Sequence, residues 1–281
     1  MPTIAPLRGT MAARLLRGSA GLWHPSWLLL RRMKALVIVP TYNERENLPQ
    51  LVPAILGQGE QFHLLVVDDN SPDGTGKIAD EMAAADPRVN VIHRDGKRGL
   101  GTAYVAGFKW ALERGFEYVF EMDADFSHDP NDLPRLLEGA MRGDCAVGSR
   151  WVPGGGTENW SLLRKFISRG GSVYAKLILG VPIDDLTSGF KCFSAYVLRS
   201  LDLDSIRSNG YAFQVEVNYR CHRLGYQIVQ VPIMFVDRRV GKSKMSAWIV
   251  VEAMGVVWKL RLSGEPPGKA PSAKYSKLPP S

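Results

Sequence analysis

The stretch YVFEMDADFSHDP, residues 118–130, decides how the rest of the chain is read. It begins as a short apolar run of the kind that buried parallel strands show. It ends in Asp123, Asp125 and Asp129, with Ser127 and His128 among them. A carboxylate cluster repels itself unless something positive sits in it. These acids are either a solvated turn or the binding place of a cation. Asp129 or Asn131 can cap a helix that starts near 132, which accounts for Asp129 alone. Asp123 and Asp125, two apart at a strand end, can approach one point from an extended turn, and Ser127 adds a hydroxyl oxygen. A few hard oxygens suit Mg²⁺ or Mn²⁺ when substrate phosphates complete the shell.

Outward from this stretch the pattern alternates. ALVIVP (35–40), HLLVVDD (63–69), VNVIHR (89–94), YVFEMD (118–123) and CAVGSR (145–150) read as strands. NERENLPQLVPAIL, KIADEMAAA, GTAYVAGFKWALERG and DLPRLLEGAMRG, which separate them, have helical period. This order predicts an α/β fold with a mostly parallel central sheet and helices on both faces. Ligands of such sheets collect at the carboxyl ends of the strands. The polar segments PTYNE, DDNSPDGT, DADFSHDP and SRWVPGGG all fall there. Beyond 150 a loop is expected at GGG (154–156), helices over about 160–180 and 211–225, and one strand over QIVQVPIMFV (227–236). Residues 263–281 read as a disordered basic tail.

The net charge of +7 sits at the ends: residues 1–43 carry +6 and residues 255–281 carry +4, leaving −3 for 44–254. Tails of this kind suit an anionic membrane surface, or serve solubility. A groove that tracks nucleic acid would be basic in the middle, so no nucleic-acid partner is expected. Cys145, Cys192 and Cys221 form no CxxC, which favours a reducing compartment over a disulfide frame or a zinc site. Residues 246–262 hold Glu252, Lys259 and Arg261 and are too short for a span. An interfacial helix and a core helix both fit them. Residues 1–32 read as a basic leader ahead of a start at Met33. Two glycine motifs are decoys: GLGTAY (99–104) has Tyr104 where a dinucleotide fingerprint needs a small residue, and VGKSK has Val236 where a P-loop needs its first glycine.

VPTYNERENLP, VVDDNSPDGT, GLGTAYVAGFKWAL, MDADFSHDP, VGSR, ENWSLLRKFISRG, DDLTSGFKCF and FVDRRVGKSK occur in this order over residues 36–244. Together they resemble family-two glycosyltransferases of the dolichol-phosphate or polyprenol-phosphate mannose synthase type. The resemblance implies a GT-A nucleotide-diphospho-sugar transferase fold over 33–245. It implies inverting, Mg²⁺- or Mn²⁺-dependent transfer of mannose from GDP-mannose to a polyprenyl or dolichyl monophosphate. A related enzyme using another sugar nucleotide, such as UDP-glucose, is the alternative. Carried over motif by motif, Pro40, Tyr42, Glu44, Val67 and Asp69 would hold the guanosine. Asp123, Ala124 and Asp125 would hold ribose and metal, with Ser127 as a third metal contact. Arg150, Arg238 and Lys244 would hold phosphates and, with Asp125, form the catalytic set. Arg164 and Ser168 would meet the acceptor phosphate.

Elementary chemistry points the same way. Charge grows on the departing diphosphate, and a cation with Arg and Lys stabilises it. A phosphate monoester, with a second pKa near about 6, is already anionic at neutral pH and needs no general base. Lys242 and Lys191 depart from the family pattern, the first where an acidic or small residue is usual and the second in place of Arg. Some members carry C-terminal spans. Without them an enzyme needs a membrane-anchoring subunit or an amphipathic helix at the membrane, for which 246–262 is the candidate. The expected location is peripheral, on the cytoplasmic face.

Overall fold

Ala35, Val37 and Val39 point into one apolar layer and Leu36 and Ile38 into another, and all five are fully buried. A strand covered on both faces explains the unbroken apolar run. The computed structural model describes residues 33–206, 208–237 and 247–263. In chain order the elements are β1 (Ala35–Thr41), α1 (Leu48–Leu56), β2 (Phe62–Asp68), α2 (Thr75–Ala85), β3 (Val89–His93), α3 (Leu100–Glu113) and β4 (Tyr118–Glu121). There follow α4 (Leu133–Arg142), β5 (Cys145–Ser149), β6 (Gly156–Glu158), α5 (Leu162–Leu179), β7 (Lys191–Ser194) and α6 (Ala195–Ser200). The last are α7 (Gly210–Arg223), β8 (Ile228–Pro232), β9 (Met234–Val236) and α8 (Ala247–Leu262).

The main sheet runs β3-β2-β1-β4-β7-β5-β8, and only β7 is antiparallel to its neighbours. Helices α1, α2 and α4 cover one face. Helices α3, α6 and α7 cover the other. A third cluster joins α5 and α8 to α7 through Ala175, Leu179, Val215, Tyr219 and Val257. Among the described residues no helix is long and apolar enough to cross a membrane.

Three local features differ from the sequence reading. The run 227–236 is two strands, with β8 pairing β5 and β9 pairing β6. The break falls at Ile233, whose N–H turns to the carbonyl of Ser149 while its side chain stays in the core. The GGG segment leads into the short β6 rather than staying a loop. Strand β7 was hidden because it opens on a lysine, and Lys191 is fully buried. The GLG decoy has a packing cause. Gly99 has φ +96°, and a Cβ on Gly101 would lie 2.5 Å from the carbonyl of Ser208.

Candidate active site

The carboxyl ends of β1, β2, β4 and β5 meet on one edge of the sheet. The loops after β1 and β2 are stitched to each other. Thr41 Oγ1 donates to Asp68 Oδ1 (2.9 Å), the N–H of Asn43 to Ser71 Oγ (3.1 Å), and the N–H of Glu44 to Thr75 Oγ1 (3.0 Å). Asn43 and Asn70 both hold positive φ, at 64° and 57°. Asn is among the few residues that accept this conformation at low cost. Pro40 pairs with Val67 at the ends of β1 and β2, and Tyr42, Glu44 and Asp69 follow on the stitched loops. Tyr42 is partly exposed with the Lys97 ammonium over its ring, and the Glu44 carboxylate accepts from Asn47 (2.7 Å).

Asp69 meets a partner that the motifs did not name. Arg94 Nε lies 2.8 Å from Asp69 Oδ1, and both side chains are only 9% exposed. The charges touch without an aligned hydrogen bond, so Asp69 Oδ1, Arg94 Nε and Arg94 Nη2 all lack one. Burial raises the Asp69 pKa, and Arg94 only partly offsets this. Arg94 follows β3 at the same sheet edge, so the strand-end rule was the signal that could have found it.

In the loop after β4, Asp125 Oδ1 accepts the N–H of Ser127 (3.1 Å), and Tyr104 Oη donates to Asp123 Oδ1 (3.5 Å). Ala124 between them is buried in the core. Phe126 is held at φ +60°, a costly conformation for an aromatic residue and one that recurs at ligand sites. Ser127 Oγ is buried and makes no hydrogen bond. Asp129 accepts the N–H of Asn131 (2.9 Å) and caps the turn Pro130–Asp132.

His128 ties this loop down. Its Nδ1 accepts the N–H of Asp123 (3.2 Å), so the neutral ring carries its proton on Nε2. Burial lowers its pKa to about 4, against the opposing pull of Asp125. The ring stacks on Phe190 (4.8 Å) and meets Phe235 edge-on (5.5 Å). Phe235 in turn meets Trp160 edge-on (5.2 Å).

This aromatic row joins the acidic loop to two of the expected cations. Arg150 Cζ lies 5.4 Å from the rings of both Trp160 and Phe235, and Arg164 Cζ lies 4.1 Å from that of Trp160. Arg150 is also gripped by Asp185, with Nε and Nη2 each 2.6 Å from a carboxylate oxygen, while Nη2 reaches Thr187 Oγ1 at 2.9 Å. Arg164 pairs with Asp237 (2.8 Å), and Ser168 lies half-buried one turn along α5. Arg238 and Lys244 lie outside the described residues. Asp185, Thr187, Trp160 and Phe235 were not singled out from the sequence. An acid inside the apolar stretch VPIDDLTSGF was the available signal for Asp185.

Asp123, Asp125 and Ser127 form an open set of hard oxygens. Among the described residues no three His, Cys, Asp or Glu side chains make a closed metal cage. The partnerless hydroxyl of Ser127 fits an ion that draws its other ligands from a substrate. Close by, Trp151 Nε1, Trp160 Nε1 and Arg164 Nε are buried N–H donors without acceptors. Orphan donors of this kind call for an anionic or acceptor-rich ligand.

A protein-family model described as glycosyl transferase family 2 matches residues 36–202. An undecaprenyl-phosphate mannosyltransferase of Micrococcus luteus is 52% identical over 222 residues, covering 79% of this chain and 91% of the relative. A polyprenol monophosphomannose synthase of Mycolicibacterium smegmatis is 49% identical over 232 residues, covering 81% and 88%. Both meet the resemblance read from the motifs. Among solved structures, glucosyl-3-phosphoglycerate synthase from Mycobacterium tuberculosis, in complex with Mn²⁺, UDP-glucose and phosphoglyceric acid, shares the fold. Its TM-score is 0.61 at 16% identity, covering 83% of this chain and 82% of that one. The fold is therefore the mostly parallel α/β sheet expected from the strand–helix alternation, in the glycosyltransferase form that the motif resemblance implied, and this chain belongs to glycosyl transferase family 2.

Proposed function

We propose that this chain transfers mannose from GDP-mannose to a polyprenyl or dolichyl monophosphate, with inversion, at a membrane surface on its cytoplasmic face. The observation that carries the reading is the placing of two kinds of site on either side of the aromatic row. A buried hydroxyl and two acids that suit a cation lie on one side of the aromatic row. Buried N–H donors that suit an anion lie on the other. The two relatives named for mannosyl transfer to a prenyl phosphate supply the chemical class.

Pro40, Tyr42, Glu44, Val67 and Asp69 would line the guanosine, with Arg94 beside Asp69. Asp123, Asp125 and Ser127 would hold Mg²⁺ or Mn²⁺, which when bound neutralises charge on the leaving GDP. Ala124 and Asp123 would meet the ribose. Arg150 uses Nε and Nη2 on Asp185 and Thr187, leaving the two N–H groups of Nη1 for a diphosphate oxygen. Arg238 and Lys244 complete the phosphate-binding set. Arg164 and Ser168 would receive the acceptor phosphate, Arg164 exchanging Asp237 for it. His128 spends its acceptor nitrogen on Asp123, so this imidazole is no general base. A phosphate nucleophile, ionised beforehand, asks for none.

The test is transfer by the purified full chain to a short polyprenyl phosphate, with labelled GDP-mannose or UDP-glucose and with Mn²⁺ or Mg²⁺. Mannosyl phospholipid formed from GDP-mannose alone is expected. Transfer from UDP-glucose only, or from neither donor, overturns the reading.

A further inference from the structure

Trp160 is buried, 9% exposed, in the segment that leads into α5. Three neighbours hold its ring. Phe235 meets it edge-on at 5.2 Å, the Arg164 guanidinium carbon lies 4.1 Å from its centroid, and that of Arg150 lies 5.4 Å away. An aromatic face attracts cations, so one indole gathers two guanidiniums that repel each other. Packing asks for nothing more than the ring, and a phenylalanine would serve all three neighbours. The indole adds an N–H. Its Nε1 is buried and has no acceptor among the described residues. A buried tryptophan N–H ordinarily has a partner, because leaving it bare forfeits the hydrogen bond it made to water.

The surroundings select the ligand. Arg164 Nε is a second buried donor without an acceptor, on the guanidinium that lies beside the same ring. Arg164 Nη1 is held by Asp237 at 2.8 Å. Two unmet donors on touching side chains, one of them cationic, call for an anion with several oxygens close together. A phosphate monoester has three such oxygens and nearly two charges at neutral pH. A sugar hydroxyl or a carbonyl offers one oxygen and no charge. The donor's diphosphate fits less well. Arg150, the cation expected for it, is the farther of the two from the ring and gives Nε and Nη2 to Asp185 and Thr187.

We propose that Trp160 is a further binding residue for the acceptor phosphate: Nε1–H donates to one phosphate oxygen while the ring keeps Arg164 in place to take another. The phosphate monoester as ligand rests on the prenyl-phosphate reading above. The motifs had named Arg164 and Ser168 for this phosphate and left the tryptophan of ENWS without a role. The ring has a second use. It touches both Arg150 and Arg164, so it sets the spacing between the cation for the leaving diphosphate and the cation for the attacking phosphate. Those two anions must flank one anomeric carbon, and their separation decides whether attack is in reach.

The test follows the indole N–H resonance of Trp160 in the full chain labelled with ¹⁵N-tryptophan, assigned by its loss in Trp160→Phe or Trp160→Leu. A short prenyl phosphate should move it downfield, as a new hydrogen bond to an anion does. Inorganic phosphate at higher concentration should do the same, whereas the prenyl alcohol, or GDP with Mg²⁺, should give no comparable shift. Trp160→Phe keeps the ring and should raise KM for the prenyl phosphate about tenfold, with KM for GDP-mannose and the melting temperature unchanged. Trp160→Leu should lower kcat as well, because Arg150 and Arg164 lose their common platform. A resonance that ignores the prenyl phosphate overturns the proposal whether or not mannose is transferred. So does an equal shift with the alcohol or with GDP, or a Trp160→Phe variant in which the two KM values rise together or not at all. A phosphate-specific shift without any transfer from GDP-mannose leaves Trp160 as a phosphate ligand and removes the proposed donor instead.

Discussion

Asp185 grips Arg150 with both carboxylate oxygens, 2.6 Å to Nε and 2.6 Å to Nη2, and the two side chains are 0% and 5% exposed. Both charges are out of water, so each needs the other. The fork also fixes which face of the guanidinium remains for a ligand. Asp185→Ala should therefore cost about 3–5 kcal/mol of stability, since it leaves a buried charge unpaired. Equilibrium denaturation measures this; a loss below about 1 kcal/mol would mean that Arg150 finds other partners freely. Arg150→Lys keeps the charge, cannot form the fork, and should lower turnover as well as stability.

Ser127 separates stability from function. Its hydroxyl is buried and satisfies nothing in the protein, so Ser127→Ala should change stability by no more than about 0.5 kcal/mol. If it completes the metal shell, the same variant should need more Mn²⁺ for half-maximal transfer. Asp125→Asn should lower turnover about 100-fold or more. A metal titration of transfer rate reads both effects, and an unchanged metal requirement in Ser127→Ala would remove it from the site.

His128 sets a pH dependence. Its folded pKa of about 4 lies below an unfolded value of about 6.5, so the unfolded chain binds the proton more tightly. The stability it contributes is fully present above about pH 6.5 and is lost as pH falls from there toward 4, by about 3 kcal/mol in all. Phe190 and Phe235 flank the ring, and Asp125, Arg150 and Asp185 supply the charges around it. His128→Gln should be less stable than wild type at pH 7.5, and the gap should narrow by pH 4.5. Denaturation midpoints at the two pH values test this. A gap of constant size would show that the imidazole does not titrate with unfolding.

Beneath the acidic loop, Lys191 and Glu121 face each other across β7 and β4, 3.7 Å apart and fully buried. Lys191 also donates to the Gln214 carbonyl (3.1 Å). Burial lowers the Lys191 pKa and raises that of Glu121. Lys191→Met alone should cost about 3–5 kcal/mol, because Glu121 is stranded two residues before Asp123. Adding Glu121→Gln should restore most of the loss, and a double-mutant cycle measures the coupling. Additive single effects would show that the pair acts as two independent groups.

The alternation of apolar runs with helical period was enough to place β1 to β5 and the four loops at their carboxyl ends. Those loops brought Asp123, Asp125, Ser127, Asp69 and Arg150 to one edge without any contact having to be known. Strand β7 was less legible, because its charged first residue is buried only by virtue of Glu121 on the neighbouring strand. The break at Ile233 was equally hidden: two successive strands of one apolar run joined different sheets through pairings made far away in sequence.

What the amino-acid sequence determined by itself was local and periodic: which segments are strands, where the chain turns, and which acids lie at a strand end. Tertiary structure alone decided the partners, because Arg94 meets Asp69 and Asp185 meets Arg150 across separations that no spacing rule encodes. It also decided that Leu163, Phe166 and Leu177 are exposed among the described residues, since the spacing of an apolar helix face does not say what packs over it.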